Sequence, residues 1–229
     1  MTSLDQVPYT ASVNPFDATE FTDNPQQRCP CLLLLDTSGS MEGRPMEQLN
    51  EGIRTFKEEL MADSLAAKRV EVSILTFGPP RSLGSFQTAE TFTPPHLATT
   101  GDTPMGAAIL QGIAMIEDRK TTYQDHGIPY NRPWIFLITD GAPTDDVALA
   151  SRMLREGVER KKFAFFAVGV EGADMATLSR ISPRQPQKLQ GLKFRELFQW
   201  LSNSLGTASR SSPDTERLAL PPPSGWTEL

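Results

Sequence analysis

Residues 32–40, LLLLDTSGS, run four leucines straight into a carboxylate and three hydroxyls. Asp36, Ser38 and Ser40 stand at alternate positions, D-x-S-x-S. That spacing lets three oxygen-bearing side chains converge while the residues between them face away, and Gly39 and Gly43 permit the tight path required. Two more oxygen donors occupy comparable places: Thr103 in TTGDTPMGAAI and Asp140 in WIFLITDGAP. The set Asp36, Ser38, Ser40, Thr103 and Asp140 offers oxygen and neither nitrogen nor sulfur. It suits Mg²⁺, with Mn²⁺ or Ca²⁺ as alternatives, and disfavours Zn²⁺ and Cu²⁺. Mg²⁺ takes an octahedron at about 2.0–2.1 Å and keeps several waters. Three hydroxyls can bind it directly, and the two aspartates directly or through water. A shell rich in neutral hydroxyls leaves the ion electrophilic, with one position suited to an incoming carboxylate.

Other chemistries fit less well. The phosphate-cradling G-x-x-x-x-G-K-[ST] loop is absent from the sequence, as is the G-x-S-x-G nucleophile elbow. An EF-hand loop, with alternating acids and a terminal Glu, is absent too. An aspartyl nucleophile after an apolar strand keeps one rival open, a Mg²⁺-dependent phosphoryl-transfer enzyme using Asp36. Such enzymes want a second acid two residues on, and that position is Ser38. His96 and His126 lie in Pro- or Gly-flanked loops and read as surface residues rather than bases. A scaffold with a vestigial site is the third reading.

Local structural roles compete for the same residues. Thr103 precedes Pro104, a natural first helical residue, so it could be an N-cap. Ser38 and Ser40 come too early to cap a helix that Pro45 starts near residue 45. Asp145 and Asp146, after GAPT at the start of a helix, suit the positive end of the helix dipole better than ligation. Asp102 reads as loop solvation or capping help, and Glu42 and Arg44 as exposed rim. Gly101, Gly106 and Gly141 suggest close backbone approach around the site.

The elements that must position these groups follow from hydrophobic pattern. CLLLL at 31–35, WIFLI at 134–138 and FAFFAVGV at 163–170 are apolar on both alternating faces, as strands of a covered parallel sheet are. VEVSILTF at 70–77 fits a neighbouring strand. Met46, Leu49, Ile53, Phe56 and Leu60 form a helical stripe. So do Met105, Ile109, Ile113 and Ile116; Val147, Ala150, Leu154 and Val158; and Phe194, Leu197, Phe198, Leu201 and Leu205. Alternating strand and helix predict an α/β, doubly wound open sheet. Ligands of such sheets sit at the carboxyl ends of the strands where strand order reverses. Asp36 and Asp140 end two core strands and would meet there. The stretch SLGSFQT reads as a short edge strand over 83–88.

At 229 residues the chain is long enough for one sizeable domain. Its net charge of −6 argues against nucleic acid as main partner. No apolar run reaches membrane-span length, and the N-terminus has no basic start or apolar core of a secretory signal. The expectation is a cytoplasmic protein. Cys29 and Cys31, spaced C-x-C, read as small buried hydrophobes on one face of a strand. Residues 1–28 read as an irregular arm with a short extended piece around Phe16 to Phe21. Residues 29–205 read as the domain, and 206–229 as a flexible Ser- and Pro-rich tail.

Three segments in order, LLLLDTSGSM, GDTPMG and FLITDGAPTD, resemble the metal-ion-dependent adhesion site of the von Willebrand factor A domain, also called integrin I-like. The resemblance covers roughly residues 29–205 and maps that site onto Asp36, Ser38, Ser40, Thr103 and Asp140. It implies a six-stranded sheet of order 3-2-1-4-5-6 with strand 3 antiparallel, which places Asp36 beside Asp140. It implies a non-enzymatic protein-interaction module in which a partner's Glu or Asp becomes the last metal ligand. The run DTSGSMEGRPMEQLNEGI is further similar to bacterial TerY-type proteins of tellurium-resistance and stress or phage-defence clusters. That likeness suggests a protein kinase or a PP2C-type phosphatase as partner.

Overall fold

The leucine run forms the centre of the sheet, because it can be covered on both faces. In the computed structural model, residues 21, 23–170, 172–213, 215, 219–223 and 225–227 are described. The strands are β1 (Cys29–Asp36), β2 (Val70–Phe77), β3 (Arg81–Ser82), β4 (Gln87–Thr88), β5 (Trp134–Thr139), β6 (Ala164–Gly169) and β7 (Gln187–Lys188). The helices are α1 (Arg44–Ala62), α2 (Ser64–Arg69), α3 (Met105–Asp125), α4 (Ala148–Glu159), α5 (Met175–Ile181) and α6 (Phe194–Arg210). The sheet runs β3-β2-β1-β5-β6-β7, with β4 also on β2. β1 lies parallel to β2 and β5, and β5, β6 and β7 continue in parallel. The antiparallel edge is present but broken into β3 and β4, so the described sheet has seven strands instead of six. Gly84, at φ +139°, causes the break. Its carbonyl turns to accept hydrogen bonds from the Ser73 and Ser82 hydroxyls.

Strand alternation divides β1 between two cores. Cys29, Cys31, Leu33 and Leu35 face the layer that contains α1 and α6, while Leu32 and Leu34 face α3 and α4. Burial lifts the Cys29 thiol to about 12, with the nearby Glu71 charge adding to it, and Cys31 is pushed well up too. Both thiols therefore stay protonated. All four predicted helical stripes lie on core-facing sides, with Val147 and Val158 only partly buried. Gly52 lets α1 and α6 approach: a Cβ there would stand 2.5 Å from the Phe198 ring.

The helix that carries the fourth apolar stripe runs past Leu205 to Arg210. The segment expected to be a flexible tail is exposed at Ser212, Pro213, Thr215, Ala219, Pro222 and Gly225 but buries Trp226 and Thr227. Trp226 is 1% exposed within the core, its carbonyl accepts from Gln190 N–H (2.8 Å), and the Trp200 indole donates to the Pro221 carbonyl (2.9 Å). The physical reason is the aromatic surface of Trp226 and Trp200, whose rings meet at 5.4 Å. Such surface is worth more buried than solvated. The extended piece around Phe16 lies outside the described residues except for Phe21, which is buried. No helix among the described residues is long and apolar enough to cross a membrane.

At the amino end of the sheet Glu71 of β2 is fully buried among cations. Its carboxylate accepts from Arg28 Nε (2.7 Å), from Arg119 Nε (2.9 Å) and from the Tyr123 hydroxyl. The Phe21 ring lies against both guanidinium groups, at 5.3 and 5.2 Å.

Candidate metal centre

β1 ends at Asp36, opposite Phe77 of β2, and β5 ends one residue before Asp140. The carboxyl ends of two adjacent parallel strands therefore present both acids to one crevice. Asp36 is fully buried. Its Oδ1 accepts from Ser38 N–H (2.8 Å) and its Oδ2 from the Thr139 hydroxyl (2.5 Å). The Ser38 and Ser40 hydroxyls are 3.0 Å apart, and Ser40 Oγ donates to Asp140 Oδ1 (2.8 Å). Ser38 precedes a 3-10 turn, Gly39–Met41, but makes no side-chain capping bond there. Its hydroxyl turns instead toward Ser40.

Thr103 completes the group from a distant loop. It is 5% exposed, and its hydroxyl makes no hydrogen bond among the described residues. It does not cap α3; Pro104 takes that position, without a side-chain cap. A Cβ on Gly141 would lie 3.2 Å from Thr103 Oγ1 and 3.8 Å from Asp36 Oδ2. The two oxygens thus flank one small space that glycine leaves open. All five predicted donors are brought together at the strand ends.

Backbone bonds fix the loops that carry them. Thr37 N–H donates to Phe77 O (3.3 Å), Thr100 N–H to Thr37 O (2.6 Å) and Gly39 N–H to Gly101 O (3.2 Å). Thr144 N–H donates to Thr103 O (2.9 Å). Asp145 adds a link that its position in the chain does not suggest. Its carboxylate accepts from the backbone N–H of Gly106 (2.9 Å) and Ala107 (2.8 Å), at the start of α3. The expected dipole role is present, but on a different helix from the one Asp145 precedes. Asp146 does serve its own helix, accepting from Ala148 N–H (2.9 Å). Asp102, Glu42 and Arg44 are exposed.

The electrostatics of the crevice suit a cation. Burial raises the Asp36 carboxyl above its usual range, outweighing the hydrogen bonds from Ser38 and Thr139. Burial raises Asp140 as well; the Ser40 bond opposes this and the Asp36 charge reinforces it. Two desolvated carboxylates this close lower each other's cost only when positive charge joins them. Among the described residues no three His, Cys, Asp or Glu gather at metal-ligating spacing. This set holds two carboxylates and completes itself with hydroxyls, a combination that hard oxygen-seeking ions accept. His96 is exposed, and His126 contacts Thr122 O (2.8 Å) and the Phe21 ring (5.1 Å), away from the crevice.

Residues 32–190 match the model of the von Willebrand factor type A domain. No curated protein matches the chain. Among solved structures it is similar to the pilus adhesin SpaC from Lactobacillus rhamnosus GG in an open conformation. That likeness has 13% identity and a TM-score of 0.63, over 79% of this chain and 30% of the adhesin. It is also similar to proximal thread matrix protein 1 from the mussel byssus, with 14% identity and a TM-score of 0.54, over 78% of this chain and 47% of the other. At these identities the shared property is the fold, and the chain spans less than half the length of either protein.

Proposed function

The chain belongs to the von Willebrand factor type A domain family, and from that premise we propose that it is a metal-dependent protein-interaction module. Domains of this family bind protein ligands and commonly bind a divalent metal. In this chain Asp36, Ser38, Ser40, Thr103 and Asp140 would hold Mg²⁺, or Mn²⁺ or Ca²⁺. The bound ion would supply an electrophilic position for a Glu or Asp carboxylate of the partner.

The observation that carries the proposal is the continuous chain of contacts from Asp36 through Ser38 and Ser40 to Asp140. The unbonded Thr103 hydroxyl stands beside it. A binding role fits better than phosphoryl transfer. Both Asp36 oxygens already accept hydrogen bonds, which fixes the carboxylate as a positioned ligand rather than a free nucleophile. The motif likeness to TerY-type proteins supports a cytoplasmic stress-response or phage-defence complex, with a kinase or PP2C-type phosphatase as partner.

The test is calorimetric titration of Mg²⁺ into the wild type and into Asp36→Ala. The wild type should give a saturable one-site isotherm and the variant none. Equal heats from the two proteins would sink the assignment.

A further inference from the structure

The stretch 89–104, which delivers Thr103, contains no strand or helix. Pro94 and Pro95 remove two backbone donors from it. A segment of this kind needs side chains to satisfy and hold its main chain. α1 supplies two. Lys57 donates to the carbonyls of Ala89, Glu90 (3.2 Å) and Phe92 (2.9 Å) at the upstream end.

Asn50 holds Leu97. Its Oδ1 accepts from Leu97 N–H (2.7 Å), and its Nδ2 donates to Leu97 O (2.9 Å) and to Met46 O (3.0 Å). One amide thus meets both backbone groups of one residue. An aspartate, with no donor, and a leucine, with neither group, cannot do this. Asn50 is 3% exposed within α1, where asparagine is a weak helix former. A buried amide is costly there unless its bonds are made.

The grip leads to the crevice from both of its ends. Beyond Leu97, Thr100 N–H donates to Thr37 O (2.6 Å), and Gly101 O accepts from Gly39 N–H (3.2 Å). Gly101 also lies on Gly78, so closely that a Cβ on it would stand 2.1 Å from Gly78 O. Thr103 follows directly. At the other end, α1 begins at Arg44, just after Ser40, and Glu47 N–H donates to Gly43 O (3.1 Å). Asn50 therefore ties the segment that carries Thr103 to the helix that continues from Ser38 and Ser40.

We propose that Asn50 is a positioning residue for the metal centre. Its grip on Leu97 sets where the Thr103 hydroxyl stands relative to Ser38 and Ser40, and shifts the preference of the site toward Mg²⁺ over Ca²⁺. The inference rests on the metal-dependent reading above. Mg²⁺ demands a near-ideal octahedron at short distances, whereas Ca²⁺ accepts longer and less regular ones. Loosening one donor therefore harms Mg²⁺ more.

The test titrates Mg²⁺ and Ca²⁺ calorimetrically into the 229-residue chain, as wild type, Asn50→Ser and Lys57→Met. Serine keeps a donor for the Met46 carbonyl but is too short to hold Leu97. Asn50→Ser should weaken Mg²⁺ about five-fold or more and Ca²⁺ about two-fold or less. Lys57→Met loosens the same segment upstream of Leu97, so it should lower the thermal midpoint and leave both affinities unchanged. Amide exchange of the wild type alone is a second measurement that does not depend on how a variant folds. Coupling is reciprocal, so saturating Mg²⁺ should slow exchange at Leu97 and Thr100 about five-fold or more beyond any change at Ala89. The Ala89 amide, bonded to Val70 O (3.1 Å), reports the upstream end of the segment. Three results would each overturn the proposal: exchange at Leu97 that only follows Ala89, an unchanged Mg²⁺ to Ca²⁺ preference in Asn50→Ser, or an equal change of preference in Lys57→Met. With wild-type binding intact, these remove the role of Asn50 alone. A wild type that binds neither ion would remove the metal assignment and the role of Asn50 together.

Discussion

Asp36 and Asp140 show why side chains from separate loops can be expected to meet. Each is an acid at the end of an apolar strand, and residue type and strand end are both local properties of the chain. Their energetic state is not local. Both carboxyls are raised by burial, and Asp140 also by the charge of Asp36. A carboxyl raised in the folded state supports folding when protonated, and that contribution is lost as pH rises through its folded value. At neutral pH the two carboxylates therefore carry a penalty that a bound cation would remove. Asp140→Asn should raise the thermal midpoint of the EDTA-treated protein at pH 7 and, under the proposed function, abolish the further rise expected with Mg²⁺ in the wild type. A lower midpoint in EDTA would show that the paired charges carry no such penalty. The unbonded Thr103 hydroxyl and the cross-loop bonds of Asp145 were not legible in the sequence. Nothing in a linear chain says which helix start a distant carboxylate will meet.

Among the elements, legibility followed length and burial. The long stripes of α1, α3 and α6 and the apolar runs of β1, β5 and β6 carry enough periodic positions to declare themselves. α2, α5 and β7 span 6, 7 and 2 residues, too few to show a period. The signals of the two helices are caps. Asp63 caps α2 through Leu65 and Ala66 N–H (3.1 Å each), and Asp174 caps α5 through Thr177 N–H (3.0 Å). Asp63 also pairs with Arg210 at the end of α6. Burial alone would raise its carboxyl, but the helix amides and Arg210 outweigh burial and hold it below the usual range. A depressed carboxyl stabilises the fold above its unfolded pKa, and that contribution is lost as pH falls through the folded value. Asp63→Asn keeps a capping oxygen and removes the charge. It should cost about 0.5–1 kcal/mol at pH 7. It should also flatten the loss of stability below about pH 4. Urea unfolding at pH 7 and pH 3 measures both; an unchanged pH dependence would count against the pairing.

At the scale of the molecule, Glu71 gathers distant segments. Arg28 enters from the segment before β1, Arg119 and Tyr123 from α3, and Phe21 closes over them. A single Glu in an alternating strand gives no hint of this, because its partners lie 43 to 52 residues away. Glu71→Gln keeps the volume but removes the buried negative charge that faces the Arg28 and Arg119 guanidinium groups. It should cost about 3–5 kcal/mol in denaturant unfolding. A loss below about 1 kcal/mol would show that the cluster is better hydrated than its burial implies.

The antiparallel bridge between Leu189 and Thr227 has a consequence for how copies of this protein meet. On one flank of the sheet the ladder is interrupted at Gly84 and shortened to pairs of residues. On the other, the returning C-terminal segment occupies the outer rim of β7. Free rims recruit strands from other molecules, and short or covered ones do not. A chain ending at Arg210 would expose that rim together with the Trp200 surface. It should self-associate, scattering more light than the 229-residue chain at equal concentration, and equal scattering would deny the segment this role. The segment around Trp226 and Thr227 would then act as a guard against polymerisation through this rim.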